Sequence, residues 1–128
     1  MKNLIIIVSD INYINHAKSL ISNIINEGKH KGDICLISNV ENDVLSVFEK
    51  KGIIIFKVDE YFKLPYNYKY FILDSFFKKW DKILYIDCDT MILDNISDIF
   101  NLENDIYCCE EYNLDKSRCV IDDHFNHK

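Results

Sequence analysis

The stretch LIIIVSDINYINHAKSLISNIINEG, residues 4–28, joins a short apolar run to a longer amphipathic segment. Residues 4–8 are all Leu, Ile or Val, which is typical of a strand buried on both faces of a parallel sheet. Apolar side chains then recur at helical spacing over 14–27, which predicts a helix that ends at Gly28. The expected inward residues of that helix are Ile14, Ala17, Ile21, Ile24 and Ile25.

The alternation of strand and helix continues along the chain. The pattern predicts strands over 34–37 and 53–58 and, between them, a helix over 43–51 that ends at Gly52 with Val44, Val47 and Phe48 inward. Strands joined by helices run parallel with right-handed crossovers. We therefore expect an α/β fold, a Rossmann-like and mostly parallel sheet with helices on both faces, whose ligands bind at the carboxyl ends of the strands.

The second half of the chain carries a further buried strand. Beyond Pro65 the pattern predicts a helix over 66–80, a strand over 82–86, a short strand over 91–93, a helical turn over 97–100 and a strand over 106–109. Residues 113–128 show no clear period. In the helix we expect Tyr70, Leu73 and Phe77 on one face, and core packing as the role of the aromatic residues Phe71, Phe76, Phe77 and Trp80.

Composition indicates one globular domain over residues 1–128. Hydrophobic residues make up 48% of the chain and charged residues 28%, which allows one substantial core. The net charge of −6, with no basic cluster, disfavours a nucleic-acid or anionic-membrane partner. The only glycines are Gly28, Gly32 and Gly52, so neither dinucleotide nor P-loop phosphate motifs are present.

Cysteine usage and the amino terminus favour a cytoplasmic protein. The five cysteines are odd in number and form no CxxC pair, which argues against a disulfide framework. The apolar run of 4–8 is too short for a signal sequence or a membrane span.

Two carboxylates follow directly on the fourth predicted strand, in Ile-Leu-Tyr-Ile-Asp-Cys-Asp-Thr, residues 83–90. If the backbone stays extended, Asp87 and Asp89 point to the same side and converge on one cation. Their hard oxygens suit Mn²⁺ or Mg²⁺, which complete their shells with substrate phosphates and water. The motif taken alone is equally compatible with a polar turn or a helix cap.

The wider sequence around these acids resembles a known family. WDKILYIDCDTMILDNISDIF, residues 80–100, resembles the DxD region of the family-eight glycosyltransferases, which include glycogenin and bacterial lipopolysaccharide galactosyltransferases, although Cys88 stands where alanine is usual. IIIVSDINYINHAKSLISNI, residues 5–24, resembles the first strand and helix of that family.

The resemblance implies a glycosyltransferase A-type fold and a metal-dependent, retaining transfer of a hexose from a nucleotide diphosphate-sugar, with a UDP-sugar as the expected donor. It implies Mn²⁺ (or Mg²⁺) bound by Asp87 and Asp89, with the backbone at Cys88 near the ribose. It also implies that Tyr13 packs on the base, that Lys69 contacts phosphate, and that the base and ribose pocket is lined by Ile7, Ser9 and Asp10.

Without the resemblance, these residues have simpler interpretations. Tyr13 would pack at the start of a helix, Asp10 would cap that helix, and Lys69 would be a solvated surface residue. We do not expect His124 and His127 to be metal ligands.

Members of that family are roughly twice this length, so the resemblance implies an incomplete nucleotide-sugar-binding domain that lacks the acceptor pocket and third metal ligand. Apolar surface left uncovered in this way would favour association with a second copy. Two alternatives stay open. One is a nucleotide-sugar-binding protein without turnover. The other is a haloacid-dehalogenase-type phosphohydrolase, which is disfavoured because Thr90 lies three residues after Asp87 and not four.

Overall fold

The structure, a computed structural model, describes residues 2–58 and 71–103. Its strands and α-helices are β1 (Asn3–Ser9), α1 (Ile14–Asn26), β2 (Asp33–Ser38), α2 (Asn42–Glu49), β3 (Ile54–Lys57) and β4 (Lys82–Tyr85). Short 3₁₀ helices cover Ile11–Tyr13, Ser75–Lys79 and Ser97–Asn101. These elements confirm the four predicted strands, both helices of the first half and the helical turn near residue 97.

All four strands run parallel in one sheet, in the order β3-β2-β1-β4. β1 lies between β2 and β4 and is the most deeply buried strand, since its residues 4–7 have no exposed surface. The chain moves from β1 outward to β3 and then returns to the opposite side of β1. This reversal is a topological switch point, where α/β sheets commonly bind ligands. The predicted parallel α/β sheet is therefore confirmed.

Both α-helices pack on the same face of the sheet. A single buried cluster joins the inward side chains of α1 and α2 to Ile5, Ile7, Ile34 and Leu36 of the strands. Two right-handed crossovers that step in the same direction along a sheet must lie on one face. The expectation of helices on both faces is thus wrong for the described α-helices, because β1, β2 and β3 follow one another in a single direction.

The opposite face is covered by aromatic side chains in the described residues. Phe77 and Trp80 are buried there against Leu4, Ile6 and Val8 of β1. The Phe77 ring centre lies 5.1 Å from that of Phe56 on β3. The Trp80 indole Nε1 donates a 2.7 Å hydrogen bond to the Asp33 carboxylate at the start of β2. Core packing, predicted for the aromatic cluster, is confirmed.

The continuous helix predicted over 66–80 is wrong in the described residues, which form 3₁₀ turns interrupted at Asp74. Asp74 has extended backbone (φ −64°, ψ 145°), and its carboxylate accepts the Phe76 N–H at 2.9 Å to cap a new 3₁₀ turn. A capping Asp thus divides the segment, and Leu73, expected to face inward, is 80% exposed. Tyr70 lies outside the described residues.

The predicted short strand over 91–93 is also wrong. The Ile92 N–H donates to the side-chain carbonyl of Asn23 on α1, not to a neighbouring strand. Ile92 itself is buried against the helix-side cluster. The segment is therefore a non-strand connection that lies along α1. The predicted strand over 106–109 and the tail 113–128 lie outside the described residues.

Two helix faces differ from the prediction at single positions. Ile25 and Val47 are about half exposed, whereas Leu20 and Leu45 are buried. Gly52 has φ +83° just after α2, so it ends that helix in the left-handed region that glycine favours. After α1 the left-handed residue is Lys29 (φ 56°), and Gly28 precedes it without needing that conformation.

Candidate functional site

The candidate site lies at the carboxyl ends of β1 and β4. Ile6 pairs with Tyr85 in the register of these strands, and the Ile86 N–H donates to the Ile6 carbonyl at 3.1 Å. The residues that follow, Asp10 after β1 and residues 87–89 after β4, therefore emerge at the same edge of the sheet. This edge is the topological switch point of the described sheet.

The backbone turns directly after Asp87. The Thr90 N–H donates to the Asp87 carbonyl at 3.0 Å, which closes a turn with Cys88 and Asp89 at its centre. The backbone over 87–89 is therefore not extended, so the condition under which Asp87 and Asp89 would point to the same side is not met. The turn forms here because the pairing of β4 with β1 stops at Tyr85, so no strand hydrogen bonds hold the next residues extended.

The turn gives its two carboxylates different surroundings. Asp87 Oδ1 accepts a 2.7 Å hydrogen bond from the Tyr85 hydroxyl, and the Tyr85 ring packs on the aromatic face of the sheet. Asp89 lies in the wall of a groove on the α1 side. Both carboxylates are exposed. An extended backbone would have allowed the two carboxylates to bind one ion. From this turn they can do so only if the turn changes shape.

Negative charge accumulates around Cys88. Burial raises the pKa of the Cys88 thiol, and the nearby carboxylates of Asp89, Asp87 and Asp10 raise it further. Burial, followed by the Asp87 hydrogen bond, raises the pKa of Tyr85. Within residues 2–58 and 71–103, none of these three carboxylates forms an ion pair. A cation at this edge would relieve their mutual repulsion.

The residues expected to line the base and ribose occupy three different environments. Ile7 has no exposed surface and belongs to the helix-side core. Ser9 is 2% exposed, and its hydroxyl donates to the Asp10 carbonyl at 2.8 Å. Asp10 is half-buried and Tyr13 is 48% exposed. Only Asp10 and Tyr13 of this set therefore present substantial surface to a ligand.

Asp10 has a clear local role. Its Oδ1 accepts the backbone N–H groups of Asn12 (3.0 Å) and Tyr13 (3.2 Å), capping the 3₁₀ helix before α1. Its second carboxylate oxygen has no hydrogen bond from the described residues. The Tyr13 ring lies 5.5 Å from the His16 ring, tilted by 52°. Asp10 is thus a helix cap whose second carboxylate oxygen is without a hydrogen bond within the described residues.

A groove of about 680 Å³ runs from the turn along α1. It is lined on the α1 side by the polar residues Asn15, His16, Ser19 and Asn23, by Leu20, and by Glu27 just after the helix. Met91 and Leu93 line the opposite wall and are at least 75% exposed. Sequence analysis did not single out this groove. The polar residues recur at helical spacing beside the apolar face of α1, and that pattern was the available signal.

The carboxylates suit an ion shared with a ligand and do not form an all-protein cage. In the described part of the chain, no group of three or more His, Cys, Asp or Glu side chains is placed to hold a metal. Asp87 and Asp89 supply hard oxygens, and Mg²⁺-like ions are commonly held by one or two carboxylates together with substrate phosphates. Lys69, His124 and His127 lie outside the described residues.

The sequence and fold match no protein-family model, no curated protein and no solved structure. In residues 2–58 and 71–103, no helix combines the length and apolar character needed to cross a bilayer.

Proposed function

We propose that the protein binds a nucleotide diphosphate-sugar, with UDP-sugar as the favoured donor, and is a metal-dependent retaining hexosyltransferase with a glycosyltransferase A-type fold. One observation carries the proposal: Asp10 follows β1, and Asp87 and Asp89 follow β4, at the switch point of a parallel sheet, and within the described residues none of the three carboxylates forms an ion pair. The resemblance of residues 80–100 and 5–24 to family-eight glycosyltransferases supports the same function. A cytoplasmic location fits such a donor and the odd number of cysteines.

Asp87 and Asp89 would hold Mn²⁺ or Mg²⁺ against the donor diphosphate. When bound, the ion supplies Lewis-acid stabilisation of the charge that develops on the leaving nucleoside diphosphate. Both carboxylates are exposed on a turn, so a ligand can reach them from solvent. With the ion bound, the two carboxylates would hold the phosphates through it. Without the ion, the negative charge of the carboxylates would repel the phosphates.

Tyr13 and Asp10 would bind the nucleoside. The half-exposed Tyr13 ring offers an aromatic face for stacking on the base. Asp10 is fixed by two backbone N–H groups through one oxygen, which leaves its second oxygen to accept from a ribose hydroxyl. Ile7 and Ser9 are buried, so they would not contact the nucleoside directly. Their packing would fix the position of the end of β1. The resemblance assigns a phosphate contact to Lys69.

In the proposed transfer, the bond between the anomeric carbon and the β-phosphate oxygen breaks, a new bond forms from the anomeric carbon to an acceptor hydroxyl oxygen, and the proton of that hydroxyl passes to the departing β-phosphate oxygen. The donor leaves as the nucleoside diphosphate. A nucleotide-sugar-binding protein without turnover is the second candidate, and it would use the same two carboxylates, Asp87 and Asp89.

Calorimetric titration with UDP tests the binding step. We expect UDP to bind in the presence of Mn²⁺, and we expect chelator, Asp87→Ala or Asp89→Ala to weaken binding at least about tenfold, since each removes a ligand or the ion. Asp98→Ala is the matched control, because it removes an exposed carboxylate outside the turn. CDP and GDP report base preference.

Binding of UDP that is indifferent to metal and to both substitutions would contradict the proposal. Release of UDP from UDP-hexoses, measured with the same proteins, separates a transferase from a protein that binds without turnover.

A further inference from the structure

Tyr85 is placed to control how Asp87 presents its oxygens. Tyr85 ends β4, where it pairs with Ile6 of β1, and its ring packs against the aromatic-face cluster. Side chains two residues apart lie on the same side as a strand ends. Tyr85 therefore reaches Asp87 from within the sheet, and its hydroxyl donates to Asp87 Oδ1 at 2.7 Å.

We propose that Tyr85 is a positioning residue whose hydroxyl holds Oδ1 of Asp87, so that the carboxylate offers Oδ2 to the divalent cation as a single-oxygen ligand. The inference rests on the proposed function, since it concerns the same metal site. A ring anchored on β4 restrains an otherwise exposed carboxylate. Asp87 would then lose less rotamer freedom when the ion binds.

Asp89 has no comparable restraint. The described residues supply no hydrogen bond to its side chain, which lines the groove beside α1. The two carboxylates of the motif would therefore have different roles. Asp87 would be the pre-oriented ligand, and Asp89 would be the ligand that moves to complete the site.

A hydrogen-bond donor is required at position 85 for this role. A phenol is protonated at neutral pH, so it donates and the carboxylate accepts. Phenylalanine would preserve the ring that packs on the sheet and remove only the donor. Loss of a hydrogen-bond partner of a metal ligand typically weakens metal binding by about 10–100-fold. We expect the low end, about tenfold, because Asp87 is exposed.

The test measures Mn²⁺ affinity directly, by electron paramagnetic resonance of the free ion at saturating UDP, in the parent and in Tyr85→Phe. We expect the variant to bind Mn²⁺ about tenfold more weakly. Its UDP affinity in chelator should equal that of the parent. Ser46→Ala is the control, since it removes a hydroxyl that donates to the Asp43 carbonyl within α2 and that has no role in the proposed site.

The outcomes separate this inference from the proposed function. If the parent binds Mn²⁺ with UDP and Tyr85→Phe binds it equally well, the role of Tyr85 is overturned and the metal site stands. If the parent shows no Mn²⁺ binding in the presence of UDP, both fall. If Tyr85→Phe loses metal-free UDP binding or folded structure in parallel with Mn²⁺ affinity, the hydroxyl is structural and the positioning role is overturned.

Discussion

Replacement of Gly28 by alanine should destabilise the protein by forcing apart two segments that now touch. A Cβ at this position would lie 2.7 Å from the Ile24 carbonyl oxygen of α1 and 3.2 Å from Cγ2 of Ile92. The first contact is with backbone, which cannot rotate away. The Gly28 carbonyl also accepts the Ile96 N–H at 3.0 Å, so movement here disturbs the connection that follows the carboxylate turn.

The size of the effect follows from two opposing terms. Overpacking of a tight site costs about 1–3 kcal/mol. Alanine also reduces the conformational entropy of the unfolded chain, which stabilises the folded state by about 0.4–1 kcal/mol. The net expectation is a loss of roughly 1–2 kcal/mol, equivalent to a fall of ~0.5–1 M in the urea midpoint.

Urea denaturation followed by circular dichroism measures this loss, with Gly52→Ala as the control. A Cβ at Gly52 would meet no atom within 4 Å, so that variant reports only the left-handed backbone, about 1–2 kcal/mol. Amide chemical shifts should change at Ile92 and Ile96 in Gly28→Ala only. A Gly28→Ala protein as stable as the parent, with those amides unchanged, would refute the close approach.

Two further expectations concern the core. Trp80→Phe should lower the free energy of unfolding by about 1–2 kcal/mol in urea titration, because the partly buried hydrogen bond to Asp33 is lost; an effect that persists undiminished in an Asp33→Ala background would contradict this cause. Burial raises the pKa of Cys35 to about 12, above the ordinary value of 9. The native state therefore keeps this proton when the unfolded chain loses it, so the stabilising contribution is complete below pH 9 and declines as pH rises toward 12. Denaturation midpoints measured from pH 8 to pH 11 should fall in the parent and fall less in Cys35→Ala.

The repeating elements of the first half were predictable because each has a strong local signal. The β-branched run of 4–8 and the spacing of Ile14, Ala17, Ile21 and Ile24 reflect burial that the sequence encodes directly. The segment around Phe76 and Phe77 was not predictable in this way. Its aromatic spacing looks helical, but the rings are placed by a sheet face formed from distant strands, and Asp74 starts a new turn.

The candidate site was predictable in composition and not in geometry. Asp87 and Asp89 could be located because they follow an apolar strand. Their proximity to Asp10 depends on β4 pairing with β1, and a fourth strand could equally have joined the other edge of the sheet. The turn closed by Thr90 arises because strand pairing ends at Tyr85, which is a property of the assembled sheet.

The carboxylates around Cys88 also have a consequence for the order of events in solution. A nucleoside diphosphate is an anion, and it would meet an edge at which the described residues leave three carboxylates without ion pairs, on a chain whose net charge is −6. Under the proposed function, ion and nucleotide each lower the charge barrier to the other, and linkage requires each to raise the affinity of the other by the same factor. The concentration of free divalent metal would then set how readily the protein binds its donor.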